Sequence, residues 1–278
     1  VRPIPYARQS ISPEDIEAVA RVLRSDWLTQ GPAIERFEQA VAATCGAAHA
    51  VAVSNGTAAL HLACLALGLG PGDALWTSPN TFVASANCAR YCGASVDFVD
   101  IDPGTFNLSV AALEEKLARA RREGKLPRIV VPVHFGGLPC DMPAIAALAE
   151  EYGFRVVEDA SHALGAEYRG SKVGDGRYAD VTVLSFHPVK LITTGEGGML
   201  LARSADVAGR LRLLRTHGIT RDPDQMQGER EGAWVYEQQA LGFNYRMTDI
   251  QAALGESQLA RLDAFLTRRR VLAGRYGA

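Results

Sequence analysis

The stretch VTVLSFHPVKLITTGEGGML, residues 181–200, runs an apolar strand into a histidine, a proline and a lysine. The chain has only four lysines, at 116, 125, 172 and 190, against 25 arginines. Three of them lie in polar, loop-like or helical surroundings. Lys190 lies instead at the end of an apolar run, where a simple solvated charge would be crowded. Other strand ends are also chemically loaded. AVAVS leads into NGTAAL, where Gly56 and Thr57 open a helix whose free N–H groups and dipole suit a phosphate. GDALWTS leads into PNTF and brings Phe82 near the same rim. RVVE leads into DASH, with Asp159 and His162. VTVLS itself places Ser185 and Lys190. In an open α/β sheet, ligands bind beyond the carboxyl ends of parallel strands, so these loops should converge.

One cofactor would use such a set. Pyridoxal phosphate needs a lysine to bond its aldehyde, an acid to keep its ring nitrogen protonated, donors for its phosphate and an apolar wall for its ring. On this reading Lys190 bonds the cofactor and then serves as base and acid. Asp159 faces the ring nitrogen, and Phe82 stacks on the ring. Taken singly, each residue has a plainer reading. A lysine after a strand is often a solvated loop charge, and an aspartate there is often a turn former. NGT can be an ordinary helix start, and Phe82 can be core. His162 and His187 can be hydrogen-bonded structural histidines.

The elements that would position these loops follow from pattern. SISPEDIEAVARVLRSD reads as a helix, with Ser12 as N-cap, Pro13 at its first position and Glu14 and Asp15 at its positive end. WLTQGP breaks it, and AIERFEQAVAATC is a second helix. Short apolar strands and helices then alternate to about residue 160, which predicts an α/β fold with a mostly parallel sheet. The strands are continuous apolar runs, as expected when both faces are covered. After residue 160, AEYRG, VTVLSF and GGMLLA follow one another as strands without helices between them. Residues 219–240 are polar and long, a candidate functional loop. The last 31 residues read as one long helix with nothing after it to pack against, so the sequence reads as cut short. The chain begins with Val, which suggests a missing start, and no signal peptide is visible.

Composition removes other classes. Net charge is −2 and 47% of residues are apolar, with no basic run to suggest nucleic acid or an acidic membrane; TRRRVLAGR reads as the solvated face of a helix. The five cysteines are odd in number and lack CxxC, which fits free thiols in a reducing cytosol. The longest apolar stretch, residues 58–70, is too short to span a bilayer. P-loop, HExxH and Gly-x-Ser-x-Gly motifs are absent, and GLGPGD has the wrong spacing for a dinucleotide fingerprint.

Several stretches together resemble the DegT/DnrJ/EryC1/StrS family: VSNGTAALHLACLALGLGPGD, TSPNTFVASANC, VDFVDIDPGTFNL, VVEDASHALGAEY, SFHPVKLITTGEGGML and FNYRMTDIQAALG. The match runs in order from about residue 4 to the end. It implies a type I aminotransferase (PLP-dependent transferase) fold, with a mostly parallel central sheet flanked by helices. It divides the chain into a PLP-binding large domain with an N-terminal helical segment (1–248) and a long helix (249–278) leading to a truncated small C-terminal domain. WLTQGP, HGITRD and WVYEQQALGFNYRMTD look more narrowly like the pseudaminic acid branch. Its members move an amino group from glutamate to the C4 keto group of a UDP-linked 4-keto-6-deoxy-N-acetyl hexose.

Carried over by position, the resemblance makes Lys190 the lysine bonded to the cofactor and Asp159 the partner of its ring nitrogen. His162 stands where most relatives have a glutamine contacting the phenolic oxygen. Phe82 is the stacking ring, and Gly56, Thr57 and Ser185 are phosphate contacts. Asn244 would reach the phosphate of a neighbouring subunit's cofactor, which implies a homodimer with shared active sites, in the cytoplasmic setting that the free thiols suggest. SNGTAALH departs from the NSATSALH common in that branch, which weakens the choice of sugar. Residues 29–32 and 219–240 are expected to contact substrate. Two other classes are weighed. Sugar 3-dehydratases on this fold replace the lysine with histidine, whereas here Lys190 is present and His187 lies three residues before it. A catalytically idle cofactor-binding relative is disfavoured by the intact Lys190 and Asp159.

Overall fold

The computed structural model describes residue 5 and residues 7–227, 232 and 234–276. Along the chain run α1 (Pro13–Leu23), α2 (Pro32–Cys45), β1 (His49–Val53), α3 (Gly56–Ala66), β2 (Ala74–Thr77), α4 (Ala84–Tyr91), β3 (Ser95–Phe98), α5 (Val110–Glu123), β4 (Ile129–Val131), α6 (Met142–Tyr152) and β5 (Arg155–Asp159). They continue with β6 (Glu167–Tyr168), β7 (Ser171–Lys172), β8 (Val181–Ser185), β9 (Gly198–Ala202), α7 (Ala205–Arg215), β10 (Ile219–Thr220), β11 (Glu237–Gln238), α8 (Asp249–Leu259) and α9 (Leu262–Tyr276). The α1 start has the expected cap. Ser12 Oγ accepts the Asp15 amide and the Asp15 carboxylate accepts the Ser12 amide, which closes a capping box.

Seven strands form one sheet in the order β1-β9-β8-β5-β4-β2-β3. Pairings from β3 to β8 are parallel, and β9 is antiparallel to both β8 and β1. Both faces are apolar, as the unbroken strand patterns require. Val51, Val53, Val131, Val157 and Val183 pack on one face against α3, α4 and α7. Ala50, Ala52, Leu184 and Met199 face the other way onto α2 and α8, while Trp76, Val130 and Val156 meet α5 and α6. α3 is buried almost all round, which explains its apolar sequence, broken only by Thr57 and His61. All five cysteines are buried free thiols. Among the described residues no helix is long and apolar enough to cross a membrane.

The expectation of one long C-terminal helix is corrected. α8 ends at Leu259 and α9 begins at Leu262. At the break the Arg261 amide reaches back only three residues, to Gln258 O (3.0 Å), while its guanidinium turns inward to the Asp15 carboxylate and Ser10 O. The change of direction brings Leu262 into the core, with Phe265 and Leu266 packed beside it. The proposed loop at 219–240 carries the small β10–β11 hairpin, and residues 228–231 and 233 within it lie outside the described residues.

Candidate active site

The carboxyl ends of β1, β2, β4, β5 and β8 open on one edge of the sheet, around a cavity of about 700 Å³. Seven of the eight sequence-derived site residues line it: Gly56, Thr57, Phe82, Asp159, His162, Ser185 and Lys190. Asn244 does not. It is exposed and bridges Thr216 on the far side of Tyr245, whose carbonyl accepts the Ser54 amide behind the cavity wall.

Asp159 ends β5 and is 5% exposed. Ser85 Oγ donates to its Oδ2 (2.7 Å), and Ser161 donates to Oδ1 through its hydroxyl (2.7 Å) and amide (3.2 Å). Thr81 Oγ1 lies 2.7 Å from Ser85 Oγ and continues the chain of hydroxyls. These donors fix the carboxylate without neutralising it. Four or so lone-pair sites exist on an ionised carboxylate, so one stays open to a further N–H.

Lys190 follows β8 in a tight turn, its amide donating to His187 O (2.8 Å). Its Nζ lies 2.7 Å from His162 Nε2. Burial pulls the lysine below its ordinary 10.5, and the Asp159 charge only partly opposes that. Burial also lowers His162, and the Lys190 and Arg269 charges push the same way against Asp159. Two cations at this separation would repel. The pair therefore resists carrying both charges, and a neutral amine is within reach at lower pH than in free lysine.

The floor at the start of α3 is a set of amides. Asn55 Oδ1 caps the Ala58 amide (2.8 Å), while the amides of Gly56 and Thr57 have no acceptor within the helix. Close packing shapes this cradle. A Cβ on Gly198 would fall 2.6 Å from the Asn55 carbonyl, so β9 can pass the β1–α3 turn only with glycine there. A Cβ on Gly56 would lie 3.1 Å from Ser185 Cβ, so glycine lets the Ser185 hydroxyl and the amides share one spot. Phe82 is 74% exposed while lining the cavity, which excludes the reading of it as core.

Pyridoxal phosphate fits these residues. Amides and a hydroxyl suit its phosphate, Asp159 with an open lone pair suits its ring nitrogen, Phe82 offers a ring face, and Lys190 is an amine of lowered basicity. Sequence reasoning missed Ser85 and Ser161, which hold Asp159, and Thr81, which holds Ser85. Ser161, inside DASH, and Thr81, beside Phe82 in PNTF, stood close enough in sequence to be found. It also missed Tyr245, a cavity wall inside the quoted FNYRM.

The DegT/DnrJ/EryC1/StrS aminotransferase family model matches residues 9–278. The chain is 42% identical over 273 residues to the spore coat polysaccharide biosynthesis protein SpsC of Bacillus subtilis, covering 98% of this chain and 68% of that protein. Among solved structures, Helicobacter pylori PseC, an aminotransferase of pseudaminic acid biosynthesis, superposes with a TM-score of 0.84 at 30% identity, over 93% of this chain and 66% of that one. The PLP-form of Spr1654 from Streptococcus pneumoniae, a putative sugar aminotransferase, has a TM-score of 0.86 at 29% identity, over 99% of this chain and 70% of that one. The chain thus spans about two thirds of the length of these relatives. The type I aminotransferase fold, the convergent site and the match along nearly the whole sequence agree: this chain belongs to the DegT/DnrJ/EryC1/StrS aminotransferase family.

Proposed function

We propose that the chain is the PLP-binding part of a nucleotide-sugar aminotransferase. It moves the amino group of glutamate, which departs as 2-oxoglutarate, to the C4 keto carbon of a UDP-linked 4-keto-6-deoxy-N-acetyl hexose in pseudaminic acid biosynthesis. The observation that carries this reading is the pairing of Lys190 with His162 in a cavity floored by Asp159. Bound pyridoxal phosphate would supply an electron sink for the carbon that loses its proton. The chain's own residues do the rest. Gly56, Thr57 and Ser185 hold the phosphate, and Phe82 covers the ring. Asp159, oriented by Ser85 and Ser161, holds the ring-nitrogen proton. Lys190 Nζ, with lowered proton affinity, takes a proton from the substrate carbon and returns it. His162 orients that amine.

Asn244, exposed and outside the cavity, is the residue we assign to a neighbouring subunit's phosphate, in a homodimer with shared active sites. We read residues 1–248 as the large domain and 249–278 as a segment joined to it, with α8 and Leu262 packed into its core. Five buried free thiols support a cytoplasmic setting. A second reading, amination of a different 3- or 4-keto nucleotide sugar, is favoured by 41% identity over 274 residues to the GDP-perosamine synthase of Caulobacter vibrioides.

The test is Lys190→Ala. Turnover of glutamate with a keto sugar nucleotide should fall by at least about 10³-fold, since one group supplies both acid and base. A variant turning over at a comparable rate would remove Lys190 from the chemistry. A wild-type chain that binds the cofactor but never yields 2-oxoglutarate would favour an idle, cofactor-binding relative.

A further inference from the structure

A smaller cleft of about 150 Å³ adjoins the cavity and shares Lys190 with it. Arg8, Arg268 and Arg269 line it, from opposite ends of the chain. Arg8 lies on the extended segment ahead of α1. That segment is held at Ser10 O by Gln258 Nε2 and Arg261 Nη2, each at 2.9 Å. Arg268 and Arg269 lie on α9, whose first residue, Leu262, is fixed in the core. Arg269 Nη2 donates to Lys190 O at 3.4 Å. No Asp or Glu lines the cleft, and among the described residues none of the three arginines makes an ion pair.

Like charges gathered without a counter-charge repel, and this gathering depends on bonds that tie the N-terminal segment to α8 and the α8–α9 break. An anion relieves the repulsion. The planar fork of arginine matches carboxylate and phosphate oxygens. The space, about 150 Å³, has room for such a group. The cleft and the cavity share Lys190, and Arg269 reaches its main-chain carbonyl, so an anion held there lies one residue's breadth from the reacting amine.

We propose that Arg8, Arg268 and Arg269 form an anion subsite of the Lys190 centre. It takes the oxyanion of a bound substrate, either the phosphate of a nucleotide sugar or the distal carboxylate of the amino donor. The proposal rests on the reading of Lys190 given above. Calorimetric titration of the full chain with UDP and, separately, with glutamate distinguishes the two sources. It is done at low and high salt, for the wild type, Arg8→Gln, the double variant R268Q/R269Q and its Lys counterpart R268K/R269K. The double Gln variant should bind one of the two ligands roughly tenfold more weakly and lose much of the salt dependence, with partial recovery in the Lys variant. Weakening of UDP alone identifies the phosphate, and weakening of glutamate alone identifies the carboxylate. Unchanged binding of both ligands in every folded variant, or no binding by the wild type, overturns the subsite. Circular dichroism melting verifies that each variant is folded at the titration temperature. The functional reading fails differently: salt-sensitive UDP binding through these arginines, with no 2-oxoglutarate formed, leaves the subsite standing and removes the transamination.

Discussion

Asp15 and Asp159 are both buried carboxylates, 0% and 5% exposed, and the chain treats them in opposite ways. Asp15 takes donors from the Ser12 amide, Ser257 Oγ (2.6 Å), Gln258 Nε2 (2.6 Å) and the Arg261 guanidinium. Its counter-charge is built into the fold. Asp159 takes only hydroxyl and amide donors from Ser85 and Ser161. Its charge is oriented but left to act across the cavity, where it bears on Lys190 and His162. The first arrangement ties α1 to α8 and holds the chain together. The second keeps a charge in reserve for a cationic ring nitrogen. A buried carboxylate is therefore read by the sign of its partners as much as by its burial.

The sharpest way to break this contrast is to neutralise each acid in turn. Asp159→Asn should lower turnover by about 10²- to 10³-fold while leaving the melting temperature nearly unchanged or raised, because no fixed cation loses its partner. Steady-state kinetics and a thermal melt read the two effects. Asp15→Asn should do the reverse. It strands Arg261 and costs about 3 kcal/mol of stability, measured by urea unfolding, with turnover per folded molecule close to wild type. Similar stability losses from both variants would end the distinction.

Acid adds a second contrast. Burial raises the Asp15 carboxyl, but Ser257, Ser12, Gln258 and Arg261 outweigh it and hold the group below its ordinary 3.8. The unfolded chain therefore takes up this proton first as pH falls. The stabilisation is present above about pH 4 and is lost as pH drops through the folded value. Denaturant midpoints between pH 6 and pH 3 should fall more steeply for the wild type than for Asp15→Asn. Smallest of all should be Ser85→Ala. It removes one donor from Asp159, costing about 1 kcal/mol of stability and roughly tenfold in turnover. A turnover loss equal to that of Asp159→Asn would show that orientation, more than charge, is what the floor provides.

Much of this contrast was hidden in the sequence. Asp159 was legible because a strand ended there in a chemically loaded loop, and the same rule found the Lys190 and Gly56 turns. Ser85 was not, since it reaches the site from α4 and a single hydroxyl leaves no trace in hydrophobic periodicity. Asp15 was legible only as an acid at a helix start. Its partners Ser257, Gln258 and Arg261 come from the other end of the chain, and no local pattern announces them. The break between α8 and α9 was missed for a related reason. Neither Gly nor Pro marks Ala260 or Arg261, and the turn is made by a tertiary contact, the pull of Asp15 on Arg261. The arginines of α9 read as a solvated face and are exposed in the fold, but that two of them share a cleft with Arg8 is visible only after folding.

The pairing of β1 with β9 also sets an order of assembly. β5 can pair with β4, and β8 with β9, among near neighbours in sequence. β1 pairs only with β9, at Gly198–Ala202, so its ladder waits until that segment has left the ribosome. The turn at Asn55–Thr57 takes its final shape against Gly198 and Ser185, so the phosphate cradle closes late in biogenesis. Cofactor capture by a nascent chain would then mark completion of the sheet, and chains stalled before residue 198 would leave the amides of α3 without the walls that make them a cradle.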